Sequence, residues 1–96
     1  MSDYDVLEDI DFGYECRKIL KDELRRHGLT YRSLAEILQK HGLEETEKSI
    51  AHKAMRGTFR LSFLLQVMRV LGTETLVVPV PKSKRDLVRS TSFHEA

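Results

Sequence analysis

The sequence predicts an all-α fold, a compact domain of four short helices. Three observations support this prediction: apolar residues recur at three- and four-residue steps in four segments, glycine directly follows each segment, and threonine precedes two of them. Glycine after the last turn commonly adopts the left-handed conformation that ends a helix, and a threonine hydroxyl can cap the free N–H groups at a helix start. Each helix is therefore bounded by its own sequence.

The first helix is predicted from Tyr14 to His27 and ends at Gly28. Three- and four-residue steps connect Cys16, Ile19, Leu20, Glu23, Leu24 and His27. The positions between them are mostly Lys and Arg, so this helix has an apolar face and a basic face. Cys16 lies on the apolar face and is predicted to be a small core residue.

The second helix is predicted from Tyr31 to His41, with Thr30 as its N-cap and Gly42 after it. Its apolar stripe consists of Tyr31, Leu34, Ala35 and Leu38. Alanine at the centre of the stripe lets a neighbouring helix approach closely.

The third helix is predicted from Glu47 to Arg56, with Thr46 as its N-cap and Gly57 after it. Ile50 and Ala54 are four residues apart and form its inward face. The other faces carry the basic or hydrogen-bonding side chains Lys48, His52, Lys53 and Arg56. This helix is therefore apolar on its inward face and basic on its other faces.

The fourth helix, in the segment from Phe59 to Leu71, is the richest in apolar residues and is predicted to be the most buried. After Gly72, the run Leu76 to Val80 contains β-branched residues, but Pro79 and Pro81 remove ladder donors, which favours an edge strand or a docked extended tail. Leu76, Val77, Val78 and Val80 are too apolar to remain in water, so we expect them to pack on their own domain or on a second copy.

Charge divides the chain into three predicted regions: an acidic flexible leader at 1–13, a helical domain at 14–80 and a basic flexible tail at 81–96. Residues 1–15 hold six acidic and no basic side chains, whereas the rest of the chain holds sixteen basic and nine acidic ones, a balance of +7. The formal net charge of +1 hides this asymmetry.

Several protein classes are not predicted. No apolar run approaches the roughly 20 residues of a membrane helix, and the acidic N-terminus does not resemble a signal peptide. One cysteine allows no internal disulfide, which fits a cytoplasmic protein. No nucleophile with its base, no phosphate loop and no metal-ligand spacing is present; His27 and His41, each before a helix-ending glycine, are predicted to cap helix ends. We therefore predict no enzyme, no cofactor and no metal.

Residues Thr30 to Gly72 resemble the Cro and C1-repressor type (XRE-like) helix-turn-helix family. The shared features are TYRSLAEIL, then Gly42, a Thr-capped helix carrying Ile50, an Arg-Gly pair and an apolar helix ending in LG. Ala35 and Gly42 are seven residues apart where the family pattern has four. The chain thus resembles an extended, lambda-repressor-like variant found in a group of short bacterial proteins.

The resemblance implies a sequence-specific regulator of transcription that binds double-stranded DNA, generally as a homodimer, with the Glu47 to Arg56 helix in the major groove. Lys48, His52 and Arg56 are implied as readers or clamps, and the implied phosphate contacts are Lys53, Ser49, Tyr31, Arg32 and Arg60. Glu44, Glu45 and Glu47 repel phosphate, unless Glu47 accepts from a cytosine amine.

Two alternatives remain open from the residues alone. The charges of the third helix also suit an ordinary solvated face. The same fold also suits a protein-interaction module, such as an adaptor or antitoxin-like partner, that binds another protein through its apolar tail and does not bind DNA.

Overall fold

Four helices make up the fold in the computed structural model, which describes residues 10–82. They are α1 (Phe12–Arg26), α2 (Tyr31–Lys40), α3 (Glu47–Arg56) and α4 (Leu61–Leu71). No strand occurs within residues 10–82, and the predicted all-α, four-helix fold is confirmed. Most of the predicted leader, through residue 9, and the tail from residue 83 lie outside the described residues.

Helix bounds follow the predicted caps closely, except at two starts. Helix α1 begins at Phe12 rather than Tyr14, and its first turn includes Gly13, a residue with low helix propensity that does not signal a helix start in the sequence. Helix α4 begins at Leu61, after Arg60 as its N-cap residue, so Phe59 precedes the helix. The four glycines after the helices all have positive φ, as predicted.

The core lies between the inward faces of all four helices within the compact unit Gly13–Val78. Its buried hydrophobic residues are Leu20, Leu24, Leu34, Ala35, Leu38, Ile50, Ala54, Phe63, Leu64, Val67 and Met68. Helix α2 contacts both α3 and α4, and the small Ala35 lies within this buried set. Cys16 is only half-buried, so it lies at the edge of the core rather than within it.

Glu23 is the buried charged residue of α1, and it ties that helix to the chain after α4. Its carboxylate accepts hydrogen bonds from the Thr73 hydroxyl and the Arg26 guanidinium. Burial alone would raise the pKa of this carboxyl, but those two hydrogen bonds and the nearby cations lower the pKa overall. His27 Nε2 lies 3.1 Å from Thr73 Oγ1, so His27 joins this network and does not cap α1 as predicted.

The segment after α4 has no regular secondary structure and pairs with no strand within residues 10–82. Leu76 packs against the core, whereas Val77 is 85% exposed and Val78 46% exposed. The docked-tail alternative therefore holds for Leu76, and the edge strand is not found. No helix of the described part is long and apolar enough to cross a membrane.

Candidate nucleic-acid interface

The N-terminal end of α3 is held by a reciprocal pair of hydrogen bonds. Thr46 is extended, and its hydroxyl accepts from the Ser49 N–H at 3.0 Å, while the Thr46 N–H donates to Ser49 Oγ at 2.8 Å. Each residue thus satisfies an N–H that lacks an intrahelical partner. The predicted cap is confirmed, and the Ser49 hydroxyl is part of it.

The C-terminal end of α3 is fixed by a close approach of α1. Gly57 is buried and left-handed at φ 65°, and a Cβ there would lie 2.1 Å from the Gly13 carbonyl oxygen. Arg17 of α1 donates to the Met55 carbonyl at 3.2 Å, where α3 has carbonyls without intrahelical partners. Sequence reasoning missed Gly13 and Arg17, because nothing local to α3 indicates which chain passes its end.

The two faces of α3 separate as predicted. Ile50 is 0% exposed and Ala54 1%, whereas the side chains of Lys48, His52 and Arg56 are exposed. Because these three are four residues apart, they lie along one outward side of the helix.

Met55, next to Arg56, is 70% exposed, and sequence reasoning did not single it out. Its helical phase relative to Ile50 would have placed this large apolar side chain on the surface. Beside three polar side chains, it adds an apolar contact to the outward surface of α3.

Lys53 differs from the other basic residues of α3 because its amine already has partners. It forms a salt bridge with Glu45, in the turn before the helix, and its Nζ lies 4.5 Å from the centroid of the Phe63 ring. A phosphate contact by Lys53 stays a prediction, and that contact must compete with Glu45.

A cleft of about 510 Å³ lies beside the C-terminal half of α3 and brings together three of the predicted basic residues. Lys53, Arg56 and Arg60 line it, together with Thr58 and Ser62. No side chain caps the start of α4 at Arg60. The positive end of that helix adds to the charge of the two arginines, so the cleft favours anions.

The remaining candidates, Tyr31 and Arg32, lie at the start of α2, and Tyr31 lines a different groove. Tyr31 is half-buried and lines a groove of about 500 Å³ with Lys21 and Arg25. Burial raises the pKa of the Tyr31 phenol, although the nearby Arg17 guanidinium acts in the opposite direction, so the hydroxyl stays a hydrogen-bond donor at neutral pH. Arg32 is exposed and lies 3.7 Å from a Glu36 carboxylate oxygen.

The acidic and histidine residues of the described part do not form a metal site: no group of three or more His, Cys, Asp or Glu residues could hold an ion within residues 10–82. His41 Nδ1 donates to the Ile37 carbonyl at 3.0 Å, which confirms its predicted capping role. Glu44 and Glu47 are exposed, whereas Glu45 is paired. The three glutamates before and within α3 are thus not equivalent.

Comparison with curated proteins gave no match, and comparison with solved structures gave none either. One family model matches, from the first turn of α1 to Leu76, and so covers the four helices and the cleft beside α3. The chain belongs to the family described as Domain of unknown function (DUF6471), whose model matches residues 13–76.

Proposed function

We propose that the protein binds duplex DNA as a sequence-specific regulator of transcription, with α3 in the major groove. The observation that carries the proposal is the outward side of α3, where Lys48, His52 and Arg56 are exposed at four-residue steps on a helix capped at both ends. The major groove admits one α-helix, and base edges there present distinct donors and acceptors. A rigid helix with donors along one side suits that groove.

We assign the proposed roles from the position of each residue along α3. Lys48 and His52 lie in the first two turns, which in helix-turn-helix proteins contact base edges, and a lysine can donate to guanine O6 and N7. Arg56 and Arg60 line one cleft and are proposed to hold a phosphate of the backbone. Tyr31, which lines the other groove, and the exposed Arg32 that follows it in α2 are proposed to contact a second phosphate.

We further propose that two copies act together, because one module of this size contacts only a half-site and a symmetric dimer matches palindromic DNA. Leu61 and Leu65 are 62% and 52% exposed one turn apart on α4, and the exposed Val77 and Val78 follow in the segment after α4. An exposed apolar surface made of several such side chains is normally covered by another protein surface. Arg69 and Glu74 line a cleft that also includes Leu65, so charged side chains of both signs border this apolar surface.

The proposed activity needs neither a cofactor nor a catalytic step. It implies a cytoplasmic protein, which fits a chain whose one cysteine can form no internal disulfide.

The alternative is a protein-interaction module on the same fold. The exposed apolar side chains of Leu61, Leu65 and Met55 favour it, because they suit a protein partner as well as a second copy. Salt separates the two: phosphate binding weakens steeply as salt rises, whereas an apolar protein interface is much less sensitive.

The test is a binding isotherm on genomic and random duplexes at two salt concentrations, followed by alanine variants. Lys48→Ala and His52→Ala should each cost about 1–3 kcal/mol at the preferred site and relax discrimination there. Arg56→Ala and Arg60→Ala should weaken binding to every duplex and flatten the salt slope by about one unit. The control is Lys40→Ala, because Lys40 is exposed in the last turn of α2 and is not among the proposed DNA contacts.

Circular dichroism of each variant reports whether the fold is intact. If all four variants bind DNA as the parent does while their spectra are unchanged, α3 is not the reading element. Salt-insensitive binding of one protein partner, with no binding to any duplex, would replace the proposal with the interaction module.

A further inference from the structure

Glu45 connects three helices through the turn that precedes α3. Its carboxylate forms a salt bridge with Lys53 and accepts from the Ser49 hydroxyl at 2.8 Å, and its backbone carbonyl accepts from Gln39 Nε2 of α2 at 2.7 Å. Lys53 in turn lies over the Phe63 ring of α4. The Glu45 side chain is 15% exposed, so this carboxylate is largely withdrawn from water.

Lys53, the cation that pairs with Glu45, lies in the cleft where we propose that a DNA phosphate binds. Lys53 lines the same cleft as Arg56 and Arg60, and Glu45 also lines that cleft. Within residues 10–82, neither arginine forms a salt bridge. The cleft therefore holds two arginines that can face a phosphate and one lysine whose charge is balanced by a neighbour.

We propose that Glu45 is a positioning residue that keeps Lys53 from binding a DNA phosphate, an inference that rests on the proposed function. Each phosphate contact adds affinity for any duplex, whatever its sequence, and the genome offers a large excess of non-specific sites. Pairing Lys53 with Glu45 limits this sequence-independent binding. The salt bridge thus sets how many phosphates the cleft side of the protein contacts.

The test is the salt dependence of binding to a random-sequence duplex between about 50 and 200 mM salt. Glu45→Gln keeps a side-chain oxygen for Ser49 but frees Lys53, so the plot of log affinity against log salt should steepen by about one unit. Over this range, the affinity of the variant should fall about three- to fourfold more than that of the parent. The double variant Glu45→Gln, Lys53→Gln should return to the parental slope, because it removes a pair that is neutral in the parent.

Glu44→Gln is the matched control, since it removes the same charge from the adjacent residue. Glu44 is exposed and forms no salt bridge with any residue of the described part. Its neutralisation weakens general repulsion of DNA but frees no cation. The slope for this variant should therefore remain close to the parental one.

A second measurement needs no substitution. In the ¹³C-labelled parent, the ε-methylene signal of Lys53 should stay in place when duplex DNA is added, whereas the δ-methylene signal of Arg56 should shift. This comparison decides the inference even if Glu45→Gln loosens the turn.

Besides a shift of the Lys53 signal on addition of DNA, three outcomes of the salt titrations would overturn the inference. A parental slope for Glu45→Gln with a flatter slope for the double variant would show that Lys53 already contacts phosphate. Parental slopes for both variants would show that Lys53 does not face the DNA. A parent that binds no duplex at either salt concentration would instead defeat the proposed function, and the inference with it.

Discussion

The two ends of α3 are held in different ways. At the N-terminal end, Thr46 and Ser49 cap each other within a stretch of four residues. At the C-terminal end, Gly57 meets the backbone of Gly13, and Arg17 binds the Met55 carbonyl from 38 residues away. The N-terminal cap is therefore formed by residues close in sequence, whereas the contacts at the C-terminal end form only when α1 packs against α3.

This difference bears on the proposed function. A helix that reads base edges must be held at a fixed angle, because a small rotation moves its donors away from their acceptors. The N-terminal cap fixes where α3 begins, and the contact with α1 fixes the position of the other end. Disturbing either end separately shows how far each contributes to stability.

The largest effect is expected for Gly57→Ala. An alanine at left-handed φ costs about 1–2 kcal/mol, and its Cβ would also have to displace the Gly13 backbone. Gly28→Ala is the matched control, because Gly28 has nearly the same φ, 64°, and no atom within 4 Å of an added Cβ. Gly57→Ala should lower the free energy of unfolding by about 1–3 kcal/mol more than Gly28→Ala does, as overpacking does elsewhere.

Urea denaturation of the two variants and the parent measures this difference. Equal costs for the two alanines would show that α1 can move away from Gly57 freely. The C-terminal end of α3 would then be held no more firmly than the end of α1 at Gly28.

The sequence predicted the local features of α3 but not its contacts with α1. The cap at Thr46, the left-handed Gly57 and the inward Ile50 follow from residue type and spacing, which act over one or two turns. The approach of Gly13 and the bond from Arg17 depend on how two distant helices pack, which no local spacing encodes.

The same limit applied to the charges around α3. Glu44 and Glu45 are adjacent in the sequence, which predicts that both repel phosphate. In the structure Glu44 is exposed, while Glu45 is paired with Lys53 eight residues further on. Charge pairing between a turn and the third turn of a helix depends on the turn geometry, so only the structure distinguished the two residues.

A smaller effect is expected at the N-terminal end. Thr46→Ala removes the hydroxyl that accepts from the Ser49 N–H, and loss of such a cap typically costs about 1 kcal/mol. Thr46→Ser keeps the hydroxyl and should cost less than half as much. Thr30→Ala should match Thr46→Ala, because Thr30 and Ser33 form the same reciprocal pair at the start of α2.

Denaturant unfolding of these three variants shows whether the stability contributed by the N-terminal cap of α3 depends only on neighbouring residues. Similar costs at Thr30 and Thr46 support a cap that acts independently of its surroundings. A much larger cost at Thr46 would show that this end also depends on tertiary contacts, through Glu45, and would weaken the contrast between the ends.

The smallest effect is expected for Arg17→Met, which removes the hydrogen bond to Met55 while keeping a long apolar stem. A cation near the last carbonyls of a helix contributes about 0.3–1 kcal/mol, and less as salt screens it, so global stability should fall by no more than this. Lys21→Met, at an exposed position one turn further along α1, is the control and should leave stability nearly unchanged.

The more telling measurement is hydrogen exchange of the Gly57 amide, which donates to the Lys53 carbonyl at 3.0 Å and closes the last turn of α3. Because Arg17 stabilises that turn from outside, its loss should speed exchange at Gly57 while the Ile50 amide, near the capped N-terminal end, exchanges as in the parent. Equal acceleration at both amides would mean that α3 opens as one unit, and that its two ends, although held by different contacts, are not stabilised separately.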